Sequence, residues 1–215
     1  MPERHDPERD RWSRRATESL FPQIARDVFG VAKQEDVIYT WNQPDIDRLD
    51  KEYGVDILLH TPRRRVALAA RIRGYEYYKS FGDVTIRLDS LYTLGKMLEM
   101  QKSIARFMFY AWGDSDKPIL PVRFVDWHII LLQELIDLYL KGKIKSNGPF
   151  SNGDKSSRLV GFGIQELSQH KLIYRSSGIE TCSDEPEDFE QGMLFDDSVY
   201  LEALRHDMYH RQYND

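Results

Sequence analysis

Asp56 is the residue around which chemistry can be built in this chain. It stands at the mouth of an apolar run, Val55 followed by Ile57, Leu58 and Leu59. After the turn Thr61–Arg64, the chain returns through Val66 to Ala70 into Arg71, Ile72 and Arg73. A carboxylate opening one strand, beside cations ending its hairpin partner, can set a divalent ion against a phosphate. The carboxylate gives the ion a hard oxygen ligand, and a guanidinium neutralises the anion. Arg71 and Arg73, two residues apart, share one strand face. Arg cannot serve as a base, so its part in such a site is charge stabilisation. A second ligand is needed, and Asp83, which opens the next strand, is the best placed; Glu76, Lys79 and Glu18 are further candidates. The competing reading of Asp56 is structural: a turn-flanking acid that caps a strand or pairs with Arg71.

These residues need a scaffold, and its elements can be read from periodicity. Leu20, Phe21, Ile24, Ala25, Val28 and Phe29 recur at three- and four-residue spacing, which predicts an amphipathic helix over Thr17–Val31. A short helix from Pro44 through Leu49 closes at Tyr53–Gly54, and three consecutive strands follow, the last containing Val84, Ile86 and Leu88. A helix is expected over Leu94–Arg106, then a buried strand Phe107–Trp112, an antiparallel partner Val122–Ile129 and a core helix Leu131–Leu140. Lys145–Ser157, rich in Ser, Asn and Gly, is expected as a flexible loop. Arg158–Ile164, Gln165–His170 and Leu172–Arg175 read as strand, short helix and strand. The order predicts an α/β (α+β) fold: a mixed β-sheet with a three-stranded meander, flanked by helices.

The expected organisation is a charged, weakly helical arm over 1–16 and one globular domain over 17–178. An acidic flexible linker over 179–197 and a C-terminal helix over 198–215 follow. No apolar run reaches the roughly 20 residues that span a bilayer, and the charged start lacks the apolar core of a secretory signal. A single cysteine, Cys182, excludes an intrachain disulfide and a cysteine-built zinc site. A cytoplasmic location is the expectation. The formal net charge of −5 does not mark a general nucleic-acid binder, but its distribution is uneven. Arg63, Arg64, Arg65, Arg71 and Arg73 crowd one hairpin, whereas Ser176–Leu204 holds no Lys or Arg. This predicts a cationic face able to contact a nucleic-acid backbone, with Arg63, Arg64, Arg65 and Arg73 as the DNA-binding set.

The layout around DILL, RIR and GDVTIRL resembles the PD-(D/E)XK, or restriction-endonuclease-like, superfamily. Its core is an N-terminal helix, a three-stranded meander carrying the site, a helix and a further strand. The resemblance covers roughly Thr17 to Leu140 and rests more on element order than on motif. It implies a Mg²⁺- or Mn²⁺-dependent deoxyribonuclease, with Asp56 as the metal-binding Asp at the start of the second core strand. Asp56, Asp83 and Arg71 would be the catalytic set, with Asp56 and Asp83 as metal ligands. The chain departs from the pattern at Ala69-Ala70-Arg71, where the superfamily has an acid, any residue and Lys. The alternative implied by that departure is a catalytically inactive module that binds nucleic acid or protein. DILL, FGDVTIR, FMFYAWGD and FVDWHII also loosely resemble uncharacterised phage- or prophage-associated proteins.

Within the acidic segment, Gln191-Gly192-Met193-Leu194-Phe195 resembles the pentapeptide by which bacterial DNA-processing proteins bind the sliding clamp. Gln191, Leu194 and Phe195 would be the partner-binding residues, two apolar side chains entering a preformed pocket and an amide at its rim. Gly192 and Met193 depart from the usual second and third places. The competing reading, that Met193, Leu194 and Phe195 staple the terminal helix to the core, carries about twice the weight.

Overall fold

The computed structural model describes residues 7–44, 46, 49–50, 53–90, 103–151 and 157–177. Helix α1 runs Pro7–Phe29, ten residues earlier than periodicity predicts. The segment expected as an arm is therefore, from residue 7 on, the first turns of α1. Charge alone misplaces it, because Trp12, Ala16 and Thr17 are buried and the Trp12 indole N–H donates to the Ile119 carbonyl at 2.6 Å. The helix ends at Gly30, whose φ of +67° lets its N–H bond back to the Arg26 carbonyl at 3.0 Å.

Six strands form the main sheet: β1 (Val37–Tyr39), β2 (Ile57–His60), β3 (Arg65–Arg73), β5 (Phe107–Gly113), β6 (Phe124–Leu131) and β9 (Ile173–Ser176), in that spatial order. All neighbours are antiparallel except β3 and β5, which pair in parallel with Arg71 opposite Tyr110. A second, three-stranded sheet has the order β4 (Asp83–Ser90), β8 (Ser157–Gly163), β7 (Asn147–Ser151). The short helices are α2 (Tyr75–Ser80), α3 (Leu132–Leu140) and α4 (Ile164–Gln169).

The fold is thus α+β, a mostly antiparallel mixed sheet flanked by helices, as element order predicts. The meander, however, is β1–β2–β3. The strand over Val84–Leu88 does not pair with β3, whose outer edge is taken by β5. Helix α2 turns the chain away, and β4 joins the second sheet through β8. Asn147–Ser151, placed in the expected loop, is strand β7. Of the helix expected over Leu94–Arg106, residues 103–106 are not helical and the rest lies outside the described residues.

Strand alternation sorts the core into two layers. Ile57, Leu59, Val66, Leu68, Ile72, Phe107 and Phe109 face α1, where Phe21 packs 4.7 Å from Phe109. Leu58, Ala67, Met108, Tyr110 and Trp112 face the opposite layer of β4, β8 and α3. Arg71 and Arg73 have the parity of this second face. They point between the two sheets.

Candidate functional site

A cleft of about 470 Å³ opens where α1, the β2–β3 hairpin and β4 meet. Among the described residues five arginines line it: Arg9 and Arg14 from α1, Arg71 and Arg73 from β3, and Arg87 from β4. Three carboxylates join them, those of Asp10, Asp50 and Asp56. Asp56 is half-buried, and its Oδ2 accepts the Ala70 backbone N–H at 2.7 Å, which ties it to β3. Its own main chain is bolted down as well, because the Asp56 carbonyl accepts the backbone N–H of buried Thr40 at 3.1 Å.

Burial pushes the Asp56 carboxyl up to about 7, and the Asp50 charge adds to the rise. The Ala70 N–H, Arg14 and Arg71 pull the other way. Asp50 itself sits 3.5 Å from Arg14. Burial and the neighbouring Arg73 push the Arg71 guanidinium down to about 9, so it still carries its charge at neutral pH.

The two strand arginines are used differently. Arg73 donates from Nη2 to the Thr85 hydroxyl at 2.8 Å and from Nε to the Tyr110 hydroxyl at 3.3 Å. Its guanidinium carbon also lies 4.7 Å from the Tyr77 ring centroid. Arg73 thus bolts β3 to β4. Arg71 donates from Nη1 to the Thr85 carbonyl at 3.3 Å, a long bond that commits little of its five-donor fork.

Several sequence-derived candidates fall elsewhere. Asp83 does not line the cleft: it accepts the Tyr77 hydroxyl at 3.0 Å and lies on the second sheet opposite Gly163. The strand that opens at Asp83 left the meander, which is why the expected Asp56–Asp83 pairing does not form around this cleft. Glu18 accepts the Trp41 indole and the Asn42 amide, both at 2.8 Å. Glu76 pairs with Lys79 at 2.7 Å on exposed α2. Arg63, Arg64 and Arg65 sit at the β2–β3 turn and start of β3, about 20 Å of strand from Arg71. The Arg-rich hairpin therefore has two separate cationic ends. Gln191, Leu194 and Phe195, with the acidic segment and the helix expected over 198–215, lie outside the described residues.

Sequence reasoning missed Arg9, Asp10, Arg14, Asp50 and Arg87. A signal existed for the first three: Arg9, Asp10, Ser13, Arg14 and Thr17 follow helical spacing and form one face of α1. Among the described residues no three His, Cys, Asp or Glu side chains converge as a metal-holding group. No helix among them is long and apolar enough to cross a membrane. No family model matches the chain, and no curated protein or solved structure matches it either.

Proposed function

We propose that this protein binds nucleic acid through its phosphate backbone, in the cleft beside Asp56, on a nuclease-like scaffold. The observation that carries the reading is that, among the described residues, five guanidiniums gather with three carboxylates in one cleft. Such an excess of fork-shaped donors suits phosphate oxygens better than any neutral ligand. The scaffold supports the same reading. An N-terminal helix, a three-stranded meander with Asp56 just ahead of its second strand, and a strand parallel to the third agree with part of the PD-(D/E)XK element order given above, whose next helix falls mostly outside the described residues.

A second reading adds hydrolysis with Mg²⁺ or Mn²⁺. It is favoured by Asp50, the strongest charge raising the Asp56 carboxyl. Ions of this kind are held by one or two carboxylates, with water and substrate phosphate filling the remaining positions, and Asp50 with Asp56 would supply that donor set. The ion would polarise a phosphoryl oxygen. Asp56 would hold its carboxylate in place through the Ala70 N–H, and Arg71 would neutralise phosphate charge beside it.

One experiment tests both. DNA affinity is measured against salt for the wild type and Arg71→Met, and cleavage is followed with Mn²⁺ for the wild type and Asp56→Asn. The first reading expects binding that weakens steeply with salt, and a slope shallower by about 1 in Arg71→Met. Wild-type binding indifferent to salt overturns it. Cleavage that Asp56→Asn leaves undiminished, or none by the wild type, removes the second reading alone.

A further inference from the structure

Trp41 lines the same cleft, and its surroundings are those of a fixed platform. It sits in the 3-10 turn Thr40–Asn42 that follows β1. Thr40, fully buried, anchors that turn by donating its hydroxyl to the Val55 carbonyl at 2.8 Å and its backbone N–H to the Asp56 carbonyl. The ring is therefore tied to the main chain of the residue at the centre of the site. Its indole N–H is satisfied by Glu18, and Tyr39 stacks on it with centroids 5.2 Å apart and planes 30° apart. The ring itself is only half-buried. The Arg14 guanidinium lies over the ring, its carbon 5.3 Å from the centroid, on a side chain 44% exposed and held at its other partner, Asp50, by a contact of 3.5 Å.

A rigid indole whose polar edge is already bonded gives a flat apolar face that the exposed Arg14 guanidinium covers, and a base can stack there once that guanidinium moves aside. Aromatic platforms set along a positively charged groove are how single-stranded nucleic acids are held, because every base has a π-face and an unpaired strand can splay it out. The cleft's size allows this. At about 470 Å³ it has the volume of a site for one small ligand, enough to seat a nucleotide.

We infer that the cleft takes single-stranded nucleic acid, one base stacking on Trp41 beside Arg14 while the adjoining phosphate meets Arg71. This rests on the phosphate-binding reading above and adds the strand class and the residue that selects it.

The test uses the full chain and fluorescently labelled oligothymidine, with a blunt duplex of equal length as competitor. Affinities are read by anisotropy at two salt concentrations for the wild type, Trp41→Ala and Trp41→Phe. The wild type is expected to prefer the single strand. Trp41→Ala should weaken single-strand binding about 5- to 150-fold, the range for losing one base–aromatic stack, with little change in salt dependence. Trp41→Phe, which keeps a ring, should retain most of the affinity. Should the Ala variant fail to fold, the Phe variant and Trp41→Leu provide the contrast between ring and no ring. Equal affinity for duplex and single strand, or a ringless variant that binds as the wild type does, overturns the inference. Salt-dependent binding would survive in that case, whereas loss of the phosphate reading would show as wild-type binding indifferent to salt.

Discussion

Asp56→Asn should stabilise this protein most above neutral pH, with the gain shrinking steadily as pH falls towards 4. The folded carboxyl is raised from its ordinary 3.8 to about 7, first by burial and then by the charge of Asp50. Between those two values the folded chain holds a proton that the unfolded chain has released, so folding stability falls as pH rises through the window. Below about 4 the group contributes nothing to the pH dependence, and above about 7 the full penalty is present. At 1.36 kcal/mol per pH unit, the span amounts to roughly 4 kcal/mol. The Asn side chain imitates the protonated acid: its Oδ1 can still accept the Ala70 N–H that Asp56 holds at 2.7 Å, and it carries no charge to bury. The variant should therefore gain about 1–4 kcal/mol over the wild type at pH 8, or about 2–4 °C in Tm per kcal/mol for a chain of this size. Urea unfolding followed by circular dichroism at pH 5, 6, 7 and 8 reads the difference directly, and taking wild type against variant cancels every other titrating group. Asp50→Asn should move the same pH midpoint downward, because its charge opposes ionisation of Asp56. A stability difference that stays flat from pH 5 to 8, or an Asn variant less stable at pH 8, would refute the reasoning.

Two substitutions separate the scaffold from the site. Arg73→Met removes two hydrogen bonds and the contact with Tyr77, while Thr85 and Tyr110 can still bond each other at 3.2 Å. It should cost about 1–3 kcal/mol in urea unfolding, more than the neighbouring Arg71→Met. Phe21→Ala opens a cavity where α1 meets Phe109 and should cost about 3–5 kcal/mol by the same measurement.

The parts of the fold that periodicity carries were legible in the sequence. Strands β2, β3, β5 and β6 and helix α3 lie where their apolar patterns place them, because each buries a continuous stripe or face. What failed was pairing. Nothing in Val84, Ile86 and Leu88 says which sheet the strand joins, since the same apolar alternation suits either; Val37–Tyr39 is too short for alternation to register. The N-terminal error has a different cause. Arg9, Arg11, Arg14 and Arg15 make the segment look solvated, yet the single stripe of Trp12, Ala16 and Thr17 is enough to bind that helix to the sheet. The site followed suit: Asp56, Arg71 and Arg73 were found because they belong to one local hairpin. Asp50, Arg14 and Arg87 converge on it only through tertiary contacts.

The electrostatic pattern of the cleft bears on whether Asp56 and Arg71 are merely a structural pair. In a satisfied ion pair each partner favours the other's charge, so the acid is held below its usual range and the base above its own. Here the displacements run in the opposite sense. The Asp56 carboxyl is pushed up and the Arg71 guanidinium down, because burial and like charges, Asp50 for one and Arg73 for the other, outweigh the groups that pull the other way. Both groups are strained toward neutrality by a fold that nevertheless holds them, Asp56 through the Ala70 N–H and Arg71 through the Thr85 carbonyl. An anion among the guanidiniums relieves one half of that strain, and a cation between Asp50 and Asp56 relieves the other. A phosphate with its counter-ion is a ligand that would do both, which is why the strained pair fits a binding site better than an internal salt bridge.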